Sequence, residues 1–225
     1  MIDNVLHLRV IENKDWATIL FVISFATVAI TKSAFENRFA EFAKLIYSDK
    51  YTNMYKDGSN LKSSFTIALF FVQLMSFAFF IQLSLSYFEI NNVKKTDWVL
   101  FIQIITFLIY FVFCKFLIEK IIATSFDIEE ILEQFNLQKV IFRTYIGLFL
   151  MPINIILYYN DVVSRNFMLA LIIIVLIVNV LTYLVSIKNY QNIIFSKLFY
   201  FILYLCALEI APYYFMYYWF TKGIA

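Results

Sequence analysis

One histidine, three glycines, two prolines and two cysteines are all that 225 residues contain, and only 15% of the chain is charged. Each shortage closes a class of function. The lone histidine, His7, lies in the N-terminal stretch. A histidine-based triad inside a membrane, bis-histidine haem ligation and a histidine-rich metal centre are therefore excluded. Three scattered glycines do not build a phosphate-cradling loop, and neither Cys-x-x-Cys nor His-Glu-x-x-His occurs. Cys114 and Cys206 sit inside apolar runs, where they read as small packing residues and not as a disulfide framework. No cofactor and no metal are expected. A net charge of +2 also argues against an extended nucleic-acid surface.

What fills the chain is apolar: 63% is hydrophobic and 20% aromatic. Soluble domains carry about 25% charged residues. Here the fewer charges cluster between apolar runs, as in a protein whose surface faces a bilayer. The expected fold is all-α, a single polytopic membrane domain over residues 1–225. It has six transmembrane helices, near 16–31, 63–88, 98–119, 140–159, 166–187 and 198–220, with amphipathic cytoplasmic segments. The first 15 residues are of mixed charge and no small-residue cleavage site follows the first apolar run, so that run is expected to stay in the membrane.

Asp15-Trp16 and Asp97-Trp98 open two spans alike, each an N-cap followed by an interfacial tryptophan. Past Lys32, Phe35, Phe39, Phe42 and Ile46 recur at helical spacing, with Glu36, Arg38, Glu41 and Lys44 opposite them. This predicts one long helix whose second half leaves the membrane or lies along it. A second amphipathic helix is predicted over 127–137, where Asp127 and Glu130 make an acidic capping box and Ile128, Ile131, Leu132 and Phe135 form the apolar stripe. Its acidic face suits a protein partner better than anionic headgroups. Segments 31–62, 115–143 and 188–197 hold 12 of the 18 lysines and arginines. The positive-inside rule places them in the cytoplasm and both termini outside.

The candidate site is built around Glu209, the one carboxylate near the middle of an apolar span. An ionisable group there costs at least ~2.5–3.5 kcal/mol to insert, so it needs a partner, a proton or water. Pro212 follows one turn later and, lacking an N–H, frees the carbonyl of Leu208. Pro152 is expected at similar depth in the fourth span, which would bring Gly147 and Asn154 toward Glu209. Arg143 and Lys115 are the possible cationic partners, both nearer the cytoplasmic face. Glu119 reads as peripheral. Two readings of Glu209 stay open: an ion-responsive group, or an acid that fixes helix packing or a subunit contact.

Several stretches resemble an uncharacterised family of polytopic inner-membrane proteins of Bacteroidota, a domain of unknown function. The resemblance rests on Asp15-Trp16, Arg38-Phe39, Gly147 with Pro152, and above all Leu203–Pro212, LYLCALEIAP. It implies an inner-membrane location and supplies no catalytic residue. The expectation is a non-enzymatic subunit or scaffold of a cell-envelope assembly, in contact with the lipid bilayer and with other membrane or cytoplasmic protein subunits. The alternative is a small proton- or ion-coupled carrier or channel using Glu209.

Overall fold

The computed structural model describes residues 14–44, 63–88, 94–125, 129–160 and 165–189. These form six helices: α1 (Asp15–Ala34), α2 (Glu36–Ala43), α3 (Ser64–Tyr87), α4 (Trp98–Ser125), α5 (Glu129–Tyr159) and α6 (Arg165–Asn189). There is no strand among the described residues. All but α2 are long and apolar enough to cross a bilayer. The 24 residues of α3, for instance, extend about 36 Å, against roughly 30 Å of hydrocarbon. The sixth expected span, 198–220, lies outside the described residues.

Contacts at the helix ends define an alternating up-and-down bundle. At one end the Trp16 indole donates to the Thr96 carbonyl at 3.2 Å. There the Tyr87 hydroxyl donates to the carbonyls of Leu157 and Asn160 at 3.3 and 3.2 Å, and the Arg165 guanidinium lies 5.4 Å from the Phe88 ring. At the other end Phe35 meets Phe65 with ring centroids 5.9 Å apart, and Glu119 meets Lys139. Helices α3 and α5 therefore run the same way, with α1, α4 and α6 opposed to them. The second end is the more basic one, carrying Lys32, Arg38, Lys44, Lys115, Lys120, Lys139 and Arg143.

The core is aromatic at the first end. Phe79 stacks on Phe21 at 4.2 Å and packs on Phe101 at 4.5 Å, while Trp16 and Tyr158 close the cluster at 5.9 and 6.1 Å from it. Such pairs contribute ~0.5–1.5 kcal/mol each beyond their buried area. One cluster thus ties α1, α3, α4 and α5 together.

Three local expectations change. The long first helix is broken at Phe35, whose backbone (φ −129°, ψ 50°) separates α1 from α2. Beyond the break Phe42 is buried and Phe39 half-buried, while Glu36 and Asn37 face outward. The acidic segment 127–137 and the fourth span are not separate elements. From Glu129 onward they are one helix of 31 residues, with Phe135 buried and Glu129 and Glu133 exposed. Finally, Asp15 is no N-cap: it is the first helical residue, preceded by Lys14, and that end has no side-chain cap. Asp97 does cap, its carboxylate accepting from the amides of Val99 and Leu100 at 3.0 and 3.4 Å. The matching dipeptides therefore act differently, since Trp16 is packed inward and Trp98 is 58% exposed.

Candidate functional site

The most extensive helix–helix interface joins α3 to α5, and it is polar at its centre. Gly147 permits the approach: a Cβ there would lie 3.0 Å from both the Cα and the Cγ of Gln73. The Gln73 side chain packs over that gap, and its Oε1 accepts from the Thr144 hydroxyl at 2.8 Å. Further along, the fully buried Asn154 amide donates to the Ser76 carbonyl at 2.7 Å and to its hydroxyl at 3.2 Å. The Asn154 Oδ1 has no hydrogen-bond partner. Helix α3 is also tied to the start of α4, where Gln82 Nε2 donates to the Asp97 carbonyl at 2.7 Å. Between apolar helices in a bilayer, small residues and such hydrogen bonds supply the association that hydrophobicity does not.

A charged node joins α4 to α5 at the basic end. Glu119 and Lys139 are both buried and pair at 3.7 Å, and Asn136 donates to the second carboxylate oxygen at 2.8 Å. The Lys139 ammonium also lies 4.7 Å from the Phe135 ring, one turn earlier on its own helix. Burial of the pair corrects the peripheral placement expected for Glu119. One turn beyond, Lys115 on α4 and Arg143 on α5 are half-buried. Beside the node Gln138 is 1% exposed, and neither end of its amide has a hydrogen-bond partner.

The four described site candidates do not converge. Pro152 and Asn154 are two residues apart on α5 and face different ways. Asn154 looks toward α3, whereas Pro152 lines an open apolar groove with Phe39, Phe42 and Ala43 of α2 and Tyr145, Leu148 and Phe149 of α5. Pro152 has no N–H, so the Leu148 carbonyl on that groove loses its helical donor. Arg143 lies about 16 Å along the helix from Asn154, next to the charged node. Glu209 and Pro212 lie outside the described residues.

Sequence reasoning missed Ser76 and Thr144 as partners and the Lys139–Glu119 pairing. The one local signal was an amide, a hydroxyl or a glycine at intervals along otherwise apolar runs. Chemically, the arrangement holds helices at fixed register. No group of three or more metal-ligating side chains occurs among the described residues.

Fold and polar seams together define a multi-pass helical bundle of the membrane-protein type. Residues 17–220 match the family model described as Domain of unknown function (DUF4271), and the chain belongs to that family. No curated protein and no solved structure matches it.

Proposed function

We propose that this protein is a non-enzymatic subunit or scaffold of a cell-envelope assembly in a bacterial inner membrane, with both termini outside. One observation carries the reading: three polar contacts, Thr144–Gln73, Asn154–Ser76 and Glu119–Lys139, each join one helix to another. They make a frame of fixed register. Around that frame α4 and α6 turn long apolar faces outward, Phe113, Leu117 and Ile121 on the first and Ile173, Ile177 and Leu181 on the second. Helices of a partner, or lipid, cover such faces. The excess of lysine and arginine at the end holding α2 supports the cytoplasmic side for that end. The phylum suggested by the LYLCALEIAP stretch, Bacteroidota, belongs to the same proposal.

Gentle detergent extraction followed by size-exclusion chromatography and mass spectrometry tests it. A stoichiometric membrane or cytoplasmic partner is the expected result. A monodisperse monomer without one overturns the reading.

The alternative carrier draws on a specific feature, the unpartnered Oδ1 of buried Asn154 and the unpartnered amide of buried Gln138. A buried polar group without a partner costs ~1–3 kcal/mol, which a bound ion or a second acid would offset. Glu209→Gln separates the readings. Under the carrier reading the variant folds and inserts but loses the phenotype of the wild-type gene. Under the scaffold reading, with Glu209 as a packing group, the variant behaves as wild type.

A further inference from the structure

Helix α4 has two faces of different kind. Phe101, Ile104 and Glu119 turn into the bundle and are buried. On the far side Val99, Gln103, Thr106, Tyr110, Phe113 and Leu117 are all exposed. Their spacings alternate between 4 and 3 residues, the 3.5-residue repeat of a helix that supercoils left-handed with a partner. Three of the six are polar. Neither the Gln103 amide nor the Thr106 hydroxyl has a hydrogen-bond partner among the described residues. Tyr110 is 68% exposed, its hydroxyl meeting the Cys114 thiol one turn along the same helix.

Depth sets this stripe apart from a lipid-facing surface. With Trp98 at the interface, Gln103, Thr106 and Tyr110 lie ~8, ~12 and ~18 Å down the helix, within about 30 Å of hydrocarbon. An amide or hydroxyl turned to acyl chains finds nothing to bond there. The outward residues of α6, such as Ile173, Ile177 and Leu181, are aliphatic and make no such demand. Inside the bundle the same residue types already join helices. Gln73 and Ser76 of α3, three apart like Gln103 and Thr106, bond to Thr144 and Asn154 of α5.

The chemistry of the stripe selects its partner. No charged residue stands on it: Lys115 and Glu119 are on the bundle side of α4, and Lys120 falls ~33 Å from Trp98, past the hydrocarbon. Glutamine, threonine and tyrosine each both donate and accept. In two copies related by a two-fold axis along the membrane normal, each stripe residue meets its own equivalent at its own depth. Groups that donate and accept satisfy themselves in that arrangement, and no like charges oppose each other. We propose that α4 pairs with α4 of a second copy in a parallel homodimer, with the two Gln103 amides hydrogen-bonded reciprocally across the axis. The dimer does not rest on the scaffold reading, and either stands if the other fails.

Single cysteines placed in the full chain carrying Cys114→Ala and Cys206→Ala are oxidised with copper phenanthroline in native membranes. Bridging needs Cα atoms within about 7 Å. Disulfide-linked dimers should therefore be several-fold more abundant for Thr106→Cys, Tyr110→Cys and Phe113→Cys than for three exposed controls. Those controls are Ile102→Cys and Ile109→Cys beside the stripe and Ile177→Cys on α6. Equal yields on and off the stripe overturn the proposal. So do absent dimers, the result expected if lipid, another subunit or residues 198–220 of this chain cover α4. A second arm follows the dimer fraction of the purified chain by single-molecule photobleaching, over a dilution series in lipid vesicles. Gln103→Leu keeps the volume and should weaken association roughly eightfold, the worth of two average hydrogen bonds between membrane helices. Ile177→Ala should leave association unchanged. Unchanged association of the Gln103→Leu variant, or an equal loss in both variants, contradicts the hydrogen-bonded seam.

Discussion

Helices α3 and α4 follow one another in sequence and are almost equally apolar, yet half of the most apolar stretch of α3 is buried against 6% of that of α4. In water the more hydrophobic helix goes inside. In a bilayer apolarity confers no such rank, because lipid tails are as apolar as leucine. The difference lies in the minority residues. Helix α3 carries Gln73, Ser76 and Gln82, each spent on a contact with a neighbouring helix or its approach. The central part of α4 instead presents Ile109, Tyr110 and Phe113 outward. The helix is held at its two ends, by Phe101 in the aromatic cluster and by Glu119 in the charged node. Helices α5 and α6 repeat the contrast, 44% against 6%.

The contrast can be broken most severely at the charged node. Lys139→Met leaves the Glu119 carboxylate buried without its cation, and breaking such a pair costs ~3–5 kcal/mol. Denaturation of the purified protein in mixed micelles should show a loss of that order. The double variant Glu119→Gln/Lys139→Met should recover most of it. A single variant as stable as wild type would mean that α4 is held elsewhere. Next in size is Gly147→Leu, which drives a side chain into Gln73 and forces α3 from α5, an overpacking loss of ~1–3 kcal/mol visible as a lower melting temperature. Asn154→Leu removes the bonds to Ser76. Hydrogen bonds between membrane helices average ~0.6 kcal/mol and reach about 1.7, and the unpartnered Oδ1 leaves with the amide, so the net loss falls at the low end. The smallest effect belongs to α6: Leu176→Ala, at a side chain 59% exposed, should shift stability by less than about 0.5 kcal/mol. If Leu176→Ala costs as much as Gly147→Leu, the division into frame and outer helices fails.

Much of this was legible in the sequence. The spans expected at 63–88 and 166–187 match α3 and α6 to within two residues at each end, because a long uncharged run bounded by polar residues has one stable solution in lipid. The span expected at 98–119 runs on to Ser125, and that expected at 140–159 begins at Glu129. In each case the helix continues through the charged residues at the edge of the expected span. Gln138 and Lys139 read as the polar end of a surface helix, and Glu119 as the fringe of a span. The charges of Lys139 and Glu119 are matched across twenty residues of chain, between two helices, by a pairing that local pattern does not carry. The same holds for Asn154, whose expected neighbour Glu209 lies outside the described residues and whose amide bonds Ser76 across the seam. The α3–α5 seam joins helices that are not neighbours in sequence, and periodicity along one helix does not name the partner across it.

That seam also carries a timetable. Gln73 and Thr144 are separated by 71 residues, and α4 must be threaded through the membrane between them. At a synthesis rate of ~5–20 residues per second, α3 waits on the order of 4–14 s before its partner has been made. For that interval Gln73 and Ser76 lack the groups that satisfy them in the finished bundle. A helix this dependent on a later one is a natural client for whatever shelters new spans at the site of insertion. A ribosome stalled before residue 144 would hold a protein whose first spans are in place and whose centre is still missing.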